Sequence, residues 1–296
     1  MTTIPTRATR RFALVTACTA LSVAVGLPAE AARAHTTGTR FPARIELPNG
    51  LQPEGITAGR GTTLFAGSLA NGAIWRVDAK TGALSPLVAG IAGRVAVGMD
   101  HENRANRLWV AGGPTAAVTV YDATTGAELA RYTIAGAGFL NDLTVTRDAV
   151  YVTDSQVQRL VVIPLRTGAA LPAQGAVFTL PLTGDIAFVA GAFNANGIVA
   201  TPGGRWLIVV QTATSSLFRV DTRTGATQLI TLTGGTLTSG DGLVLRGRTL
   251  YVVRGTTNAI VKIRLGGRLT AGRVVATLTA PGLDVPTTAT FVAGRL

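Results

Sequence analysis

Four short segments set an oxygen-bearing side chain directly before the apolar start of a strand. They are Glu54 in Pro53-Glu54-Gly55-Ile56, Asn141 in Leu140-Asn141-Asp142-Leu143, Asn196 in Ala195-Asn196-Gly197-Ile198 and Asp241 in Gly240-Asp241-Gly242-Leu243. Carboxylate and amide oxygens are hard donors, and two of each directed at one point suit a divalent cation, Ca²⁺ first, with Zn²⁺ or Mn²⁺ as other occupants. Taken singly, Asn-Gly and Asp-Gly are turn signals, and capped strand ends around solvent are the competing reading. The rest of the chain offers little. His35 and His101 are its two histidines, too few for a Ser-His-Asp set or a histidine-rich metal site. His101 is expected in a surface turn, on the side away from the oxygen set. Asp142, beside Asn141, can act as a second layer behind the ligands, touch substrate or cap a strand end. Asp154 and Ser155 reach toward a pocket rim, although Asp78, Asp122 and Asp221 show that most aspartates here sit in turns.

Convergence of four distant residues demands a repeat, and the chain contains one. Copies of a single template run from Glu54 to Leu278: an apolar strand, a turn, an aromatic-rich strand such as Leu108-Trp109-Val110-Ala111, then a strand ending in Asp, as in Ile74-Trp75-Arg76-Val77-Asp78, closed by Thr-Gly. The copies recur roughly every 42 to 55 residues, a propeller-blade period, and their β-branched alternation excludes a helical solenoid. In a propeller the starts of the innermost strands face the central axis, which brings the four oxygens together. Five copies are complete, and a sixth opens at Thr287 and breaks off at Leu296. The expectation is therefore an all-β, six-bladed propeller over residues 43–296 whose last blade is incomplete, with Ala43 to Leu47 supplying a closing outer strand.

With these motifs the chain resembles the gluconolactonase and senescence-marker-protein (regucalcin-like) family of six-bladed propellers, of which paraoxonases and strictosidine-synthase-like proteins are distant relatives. The resemblance covers the whole chain after its leader but is carried by the four short motifs. It implies a central divalent metal held at the positions of Glu54, Asn141, Asn196 and Asp241, with Asp241 at the place of the base that activates water for lactone hydrolysis. Sugar-lactone members place Arg two residues before the Asn; here that residue is Phe139, which points to an apolar lactone or ester. The segment after Glu54 also lacks the Trp-containing continuation of typical gluconolactonases. Two functions follow: a secreted metal-dependent lactone or ester hydrolase, or a non-catalytic secreted propeller that binds a ligand or protein and keeps a structural metal.

Composition bounds the remainder. The 296 residues are 47% hydrophobic and 14% charged, with 36 Gly, 13 Pro and one Cys, which excludes disorder and a disulfide scaffold. Arg7, Arg10 and Arg11, an apolar run from Phe12 to Gly26, and the small residues around Ala31 and Ala34 have the order of a secretory signal over residues 1–34, twin-arginine or ordinary, followed by a short linker over 35–42. Cleavage near Ala34 or Ala31 releases a chain without cysteine, since Cys18 leaves with the leader; too little apolar sequence precedes Cys18 for a lipoprotein signal. The net charge of +12 comes almost wholly from Arg spread along the chain, with no basic arm, so no nucleic acid is expected. No later apolar run reaches the ~20 residues of a membrane span, and the protein is expected to be a monomer.

Overall fold

The computed structural model describes residues 41–165 and 170–296. The expected leader, its cleavage positions, Cys18 and His35 lie outside the described residues, as does most of the expected linker.

Strands form in hairpin-linked groups. Blade 1 contains β1 (Pro53–Ala58), β2 (Thr63–Ser68), β3 (Ile74–Asp78) and β4 (Leu84–Val88); blade 2 contains β5 (Met99–Glu102), β6 (Arg107–Ala111), β7 (Ala117–Asp122) and β8 (Glu128–Thr133). Blade 3 follows with β9 (Leu140–Val145), β10 (Ala149–Asp154), β11 (Arg159–Pro164) and β12 (Phe178–Pro181). In blade 4, β13 (Thr183–Gly184) runs parallel along the outer edge of a sheet made by β14 (Ala195–Ala200), β15 (Trp206–Gln211), β16 (Ser216–Asp221) and β17 (Ala226–Leu229). Blade 5 repeats that design, β18 (Thr231–Thr233) lying parallel to β22 (Ala271–Leu278) outside β21 (Ala259–Leu265), β20 (Thr249–Arg254) and β19 (Gly240–Arg246).

Alternation within the strands explains why the blades stack. Along β15, Leu207 and Val209 pack toward blade 3 while Ile208 and Val210 pack toward blade 5. A strand buried on both faces needs the uninterrupted apolar run read in the sequence, because successive side chains point to opposite sides. Between blades 2 and 3, Trp109 is fully buried and stacks on Tyr132 at 6.1 Å between ring centroids. The Asp-x-x-Thr-Gly turns behave as expected: Asp78 Oδ1 accepts the amides of Lys80 and Thr81 at 2.8 Å, and Gly82 takes a φ of +78°.

The blade count corrects the sequence expectation. Among the described residues five blades form, not six. The segment expected to begin a sixth blade makes no sheet; beyond β22 only the isolated bridge between Val292 and Arg295 forms. Ala43 to Leu47 is not a strand either. Instead Phe41, Ile45 and Leu47 pack with Val292 over the apolar face of blade 1 around Leu64 and Val77, while Phe291 meets Tyr251 of blade 5 edge-on at 5.3 Å. Two irregular segments thus fill the place between blades 5 and 1. At the axis the substitution is close: Thr287 O accepts Gly242 N at 2.8 Å, the same bond that Asn141 O makes with Gly98 N at 2.8 Å. Thr287 Oγ1 then donates to Glu54 O at 2.7 Å, joining the last segment to blade 1.

Candidate functional site

The inner strands approach one another so closely at the axis that side chains are excluded at certain positions. A Cβ at Gly55 would overlap Val97 O, and one at Gly197 would overlap Asp241 O. The Gly after Glu54, Asn196 and Asp241 is therefore a packing requirement, whereas Asn141 is followed by Asp142. At the axis Glu54, Asn141, Asn196 and Asp241 line a single cavity of about 10 Å³, together with Asp142 and Thr287. That volume is near the minimum for one water or one ion.

Hydrogen bonds fix which way the amides face. Asn141 Nδ2 donates to Ser155 Oγ at 2.9 Å, and Ser155 Oγ donates its one proton to Ala195 O of the next blade at 2.6 Å. Asn196 Nδ2 donates to Thr212 Oγ1 at 3.0 Å, and Thr212 Oγ1 donates to Gly240 O at 2.7 Å. Each hydroxyl has spent its donor on a carbonyl, so it can only accept from the amide nitrogen, which leaves both Oδ1 atoms toward the cavity.

The carboxylates are electrostatically frustrated. Burial pushes Asp241 up to about 7, partly offset by a hydrogen bond from Asn196. Asp142 also rises to about 7, through burial first and the charges of Asp100 and Asp241 after it. Glu54 is held well above the usual carboxylate range by burial, then by Asp241 and Asp142. Among the described residues no Lys, Arg or His lines this cavity, so no positive side chain there offsets the acids. Among the described residues no group of three or more His, Cys, Asp or Glu side chains meets metal-binding spacing; any cation here would depend on the amide oxygens as well as the acids.

Sequence reasoning missed Asp100. It lies on β5, and the position equivalent to Glu54 is Val97, just before that strand, so blade 2 lacks the oxygen-bearing residue that flags the other four blades. Its carboxylate accepts Val145 N of blade 3 at 2.8 Å and His101 N at 2.8 Å, and burial raises it to about 6. Asp142 does the equivalent work one blade on, accepting Ile198 N at 3.2 Å and Leu143 N at 2.8 Å. It both lines the cavity and ties strands, so the two readings of this residue describe one position. His101 needs correction: it is a buried residue within β5, bonded through Nε2 to Asn106 Oδ1 at 3.1 Å and 5.8 Å from the Phe65 ring.

Phe139 stands two residues ahead of Asn141, half-buried, edge-on to Phe193 at 5.0 Å. Its backbone is held by Asp154, whose buried carboxylate accepts Phe139 N at 3.0 Å and Gly138 N at 3.2 Å while pairing with Arg159. Phe193 and Phe188 are each 42% exposed. Asp154 and Ser155 are thus interior supports, not rim groups. A wider cavity of about 240 Å³, bordered by Thr57, Asp100, Thr144 and Thr290, adjoins it and shares Asp142 and Thr288 with its lining. No helix among the described residues is long and apolar enough to cross a membrane.

No family model matches the sequence, and no curated protein matches it. Solved structures do match in shape. A chain of the nidogen–laminin complex aligns with a TM-score of 0.61 at 12% identity, covering 82% of this chain and 86% of that one. A catalytically inactive virginiamycin B lyase from Staphylococcus aureus, solved with quinupristin, aligns at 0.59 with 14% identity over 83% and 77%. The β-propeller domain of Myceliophteria thermophila Cps50 (Swd1) aligns at 0.52 with 17% identity over 83% and 70%. At such identities the likeness speaks for the fold alone, and the chain is an all-β propeller that shares its architecture with an enzyme among other proteins.

Proposed function

We propose that the axial cavity binds one divalent cation, Ca²⁺ by preference, and serves the hydrolysis of an apolar ester or lactone. The observation that carries this reading is the oxygen-rich lining: two amides held by Ser155 and Thr212, the carboxylates of Glu54 and Asp241, and no cationic side chain among the described residues. Hard oxygen donors of that mix match Ca²⁺ or Mn²⁺ better than Zn²⁺. A bound cation would polarise the substrate carbonyl and stabilise the oxyanion. Asp241, whose carboxyl lies near neutrality before any cation binds, is the group to take the proton of an attacking water. Phe139 and Phe193 offer an apolar surface for the substrate body where sugar-lactone hydrolases have Arg. The resemblance to the gluconolactonase and regucalcin-like family supports this assignment, and export from the cell and a monomeric state are part of the same proposal.

A second reading has its own observation. The cavity of about 10 Å³ holds an ion but no substrate atom, which suits a cation that only ties the blades of a secreted binding propeller. Elemental analysis followed by turnover assays separates the two. Hydrolysis of aromatic esters or lactones with added Ca²⁺, Mn²⁺ or Zn²⁺, abolished in Asp241→Asn, supports the hydrolase. Stoichiometric metal without turnover on the whole panel supports the binding propeller. Metal content unchanged in Glu54→Gln and Asp241→Asn refutes the site itself.

A further inference from the structure

The two faces of the ring differ in kind. Each inner strand begins on the face where the axial cavity lies, and the loops that lead from one blade to the next cross that same face. Of the twelve exposed large apolar side chains among the described residues, Leu69, Ile91, Phe188, Val189, Phe193 and Val285 stand in its loops. Among the described residues none stands in the hairpin turns of the opposite face, which carry exposed Arg60, Lys80, Arg104, Arg147 and Arg223 instead.

Three neighbouring connections make most of this surface. Residues 89–98 lead into blade 2, residues 134–139 into blade 3 and residues 186–193 into blade 4. The last reads Ile186-Ala187-Phe188-Val189-Ala190-Gly191-Ala192-Phe193, and the one polar side chain in all three is Arg94, which pairs with Glu128 at 3.1 Å. The three are contiguous, because Phe139 meets Phe193 while Val95 and Phe139 both lie against Gly113. Connecting loops are ordinarily polar, and water completes their backbone hydrogen bonds. Here side chains beneath the loops do so. Buried Asn194 accepts Val189 N at 2.8 Å through Oδ1 and donates to Val189 O and Ala192 O at 3.0 Å through Nδ2. Gln211 Nε2 donates to Ala187 O at 2.7 Å, and Arg159 Nη2 donates to Gly136 O at 2.7 Å and Ala135 O at 3.2 Å.

We propose that this face binds a lipid surface, its apolar loops entering the boundary between headgroups and acyl chains while the Arg-bearing face stays in water. A contiguous exposed apolar surface marks an interaction site. A protein partner would draw about one hydrogen bond per 100–200 Å² of contact, and these loops have no free polar side chain to make one. A lipid surface demands the reverse, that backbone groups be satisfied from within, as they are by Asn194, Gln211 and Arg159. The proposal rests on the loops alone and is independent of what the axial cavity binds.

The test uses the full chain and extruded phosphatidylcholine vesicles, with binding read by flotation. Binding that high salt leaves unchanged is expected, because the contact is uncharged. Phe188→Asp and Ile91→Asp should each lower the affinity about tenfold with little change in melting temperature, since both side chains are exposed. Leu129→Asp, similarly exposed but on the outer strand β8, should leave the affinity as it was. Binding only to vesicles that contain anionic phosphatidylglycerol, and lost in salt, would overturn the proposal and assign adsorption to the arginines of the other face. Binding that survives both loop substitutions would overturn it in favour of the apolar run from Phe12 to Gly26, which every variant retains. Absence of binding to either vesicle overturns it outright, and self-association dissolved by Ile91→Asp would then give the face to a second copy of this chain.

Discussion

Adding Ca²⁺ to the metal-free protein should raise its melting temperature strongly at pH 8 and hardly at all at pH 5. Asp142 and Asp241 each rise from 3.8 to about 7 on folding, about three pH units, or on the order of 4 kcal/mol for one group and less than double that for the coupled pair. Because the folded state holds these protons more tightly than the unfolded one, the metal-free protein has this stability in full below about pH 4 and loses it as pH climbs through about 7. A cation that binds only the ionised, folded site restores part of the loss. At a concentration one hundred times Kd the gain is about 2.7 kcal/mol, which for a domain of this size corresponds to roughly 5–10 °C. Calorimetric melting across pH 4–8, with and without Ca²⁺, reads both effects. Asp241→Asn should raise the pH 8 melting temperature of the metal-free protein and remove the response to Ca²⁺. A flat pH profile, or an equal Ca²⁺ response in Glu54→Gln/Asp241→Asn, would refute the reasoning.

Three other perturbations follow from the same geometry. Ser155→Ala removes the hydroxyl that both orients Asn141 and ties Ala195, so cation affinity by titration calorimetry should fall about 10- to 100-fold. Asp154→Ala strands the amides of Gly138 and Phe139 and frees Arg159; an aromatic ester should then show a raised KM with less change in kcat, alongside a stability loss of about 1–3 kcal/mol by denaturant melting. Trp109→Ala empties a fully buried site between blades 2 and 3 and deprives Glu102 of an indole donor at 3.0 Å, with an expected loss of about 3–5 kcal/mol and no change in metal stoichiometry.

The blades and four residues of the axial cavity were legible in the sequence because both depend on local rules. Alternation writes strands into a run such as Trp206 to Val210, and close approach of inner strands writes Gly after Glu54, Asn196 and Asp241. Asp100 escaped because its blade begins Val97-Gly98, with no oxygen to flag the frame. Ser155 and Thr212 escaped as orienting groups because a hydroxyl that serves the next blade leaves no mark in its own repeat. His101 was misplaced because β5 extends further than its charged residues suggest: Glu102 is buried through Arg104, Arg107 and Trp109, all on its own blade. The blade count failed for a long-range reason. Template matching sees that Thr287 begins an inner strand, but whether later residues pair depends on what lies beside them, and there the apolar residues near Phe41 and Val292 pack on blade 1 without forming a sheet.

The bond from Thr287 Oγ1 to Glu54 O joins residues 233 positions apart, whereas nearly every other pairing in the blades is between neighbours in the chain. Hairpins of this kind form early and cheaply, while a contact across most of the polypeptide bears a larger loop-closure entropy and slows folding. Until that contact forms, the blades are a curved row with Glu54 at one end and Asp241 near the other, and their oxygens share no cavity. On the proposed cation binding, affinity becomes a readout of ring closure, and a time-resolved refolding experiment with a Ca²⁺-sensitive dye would register that closure.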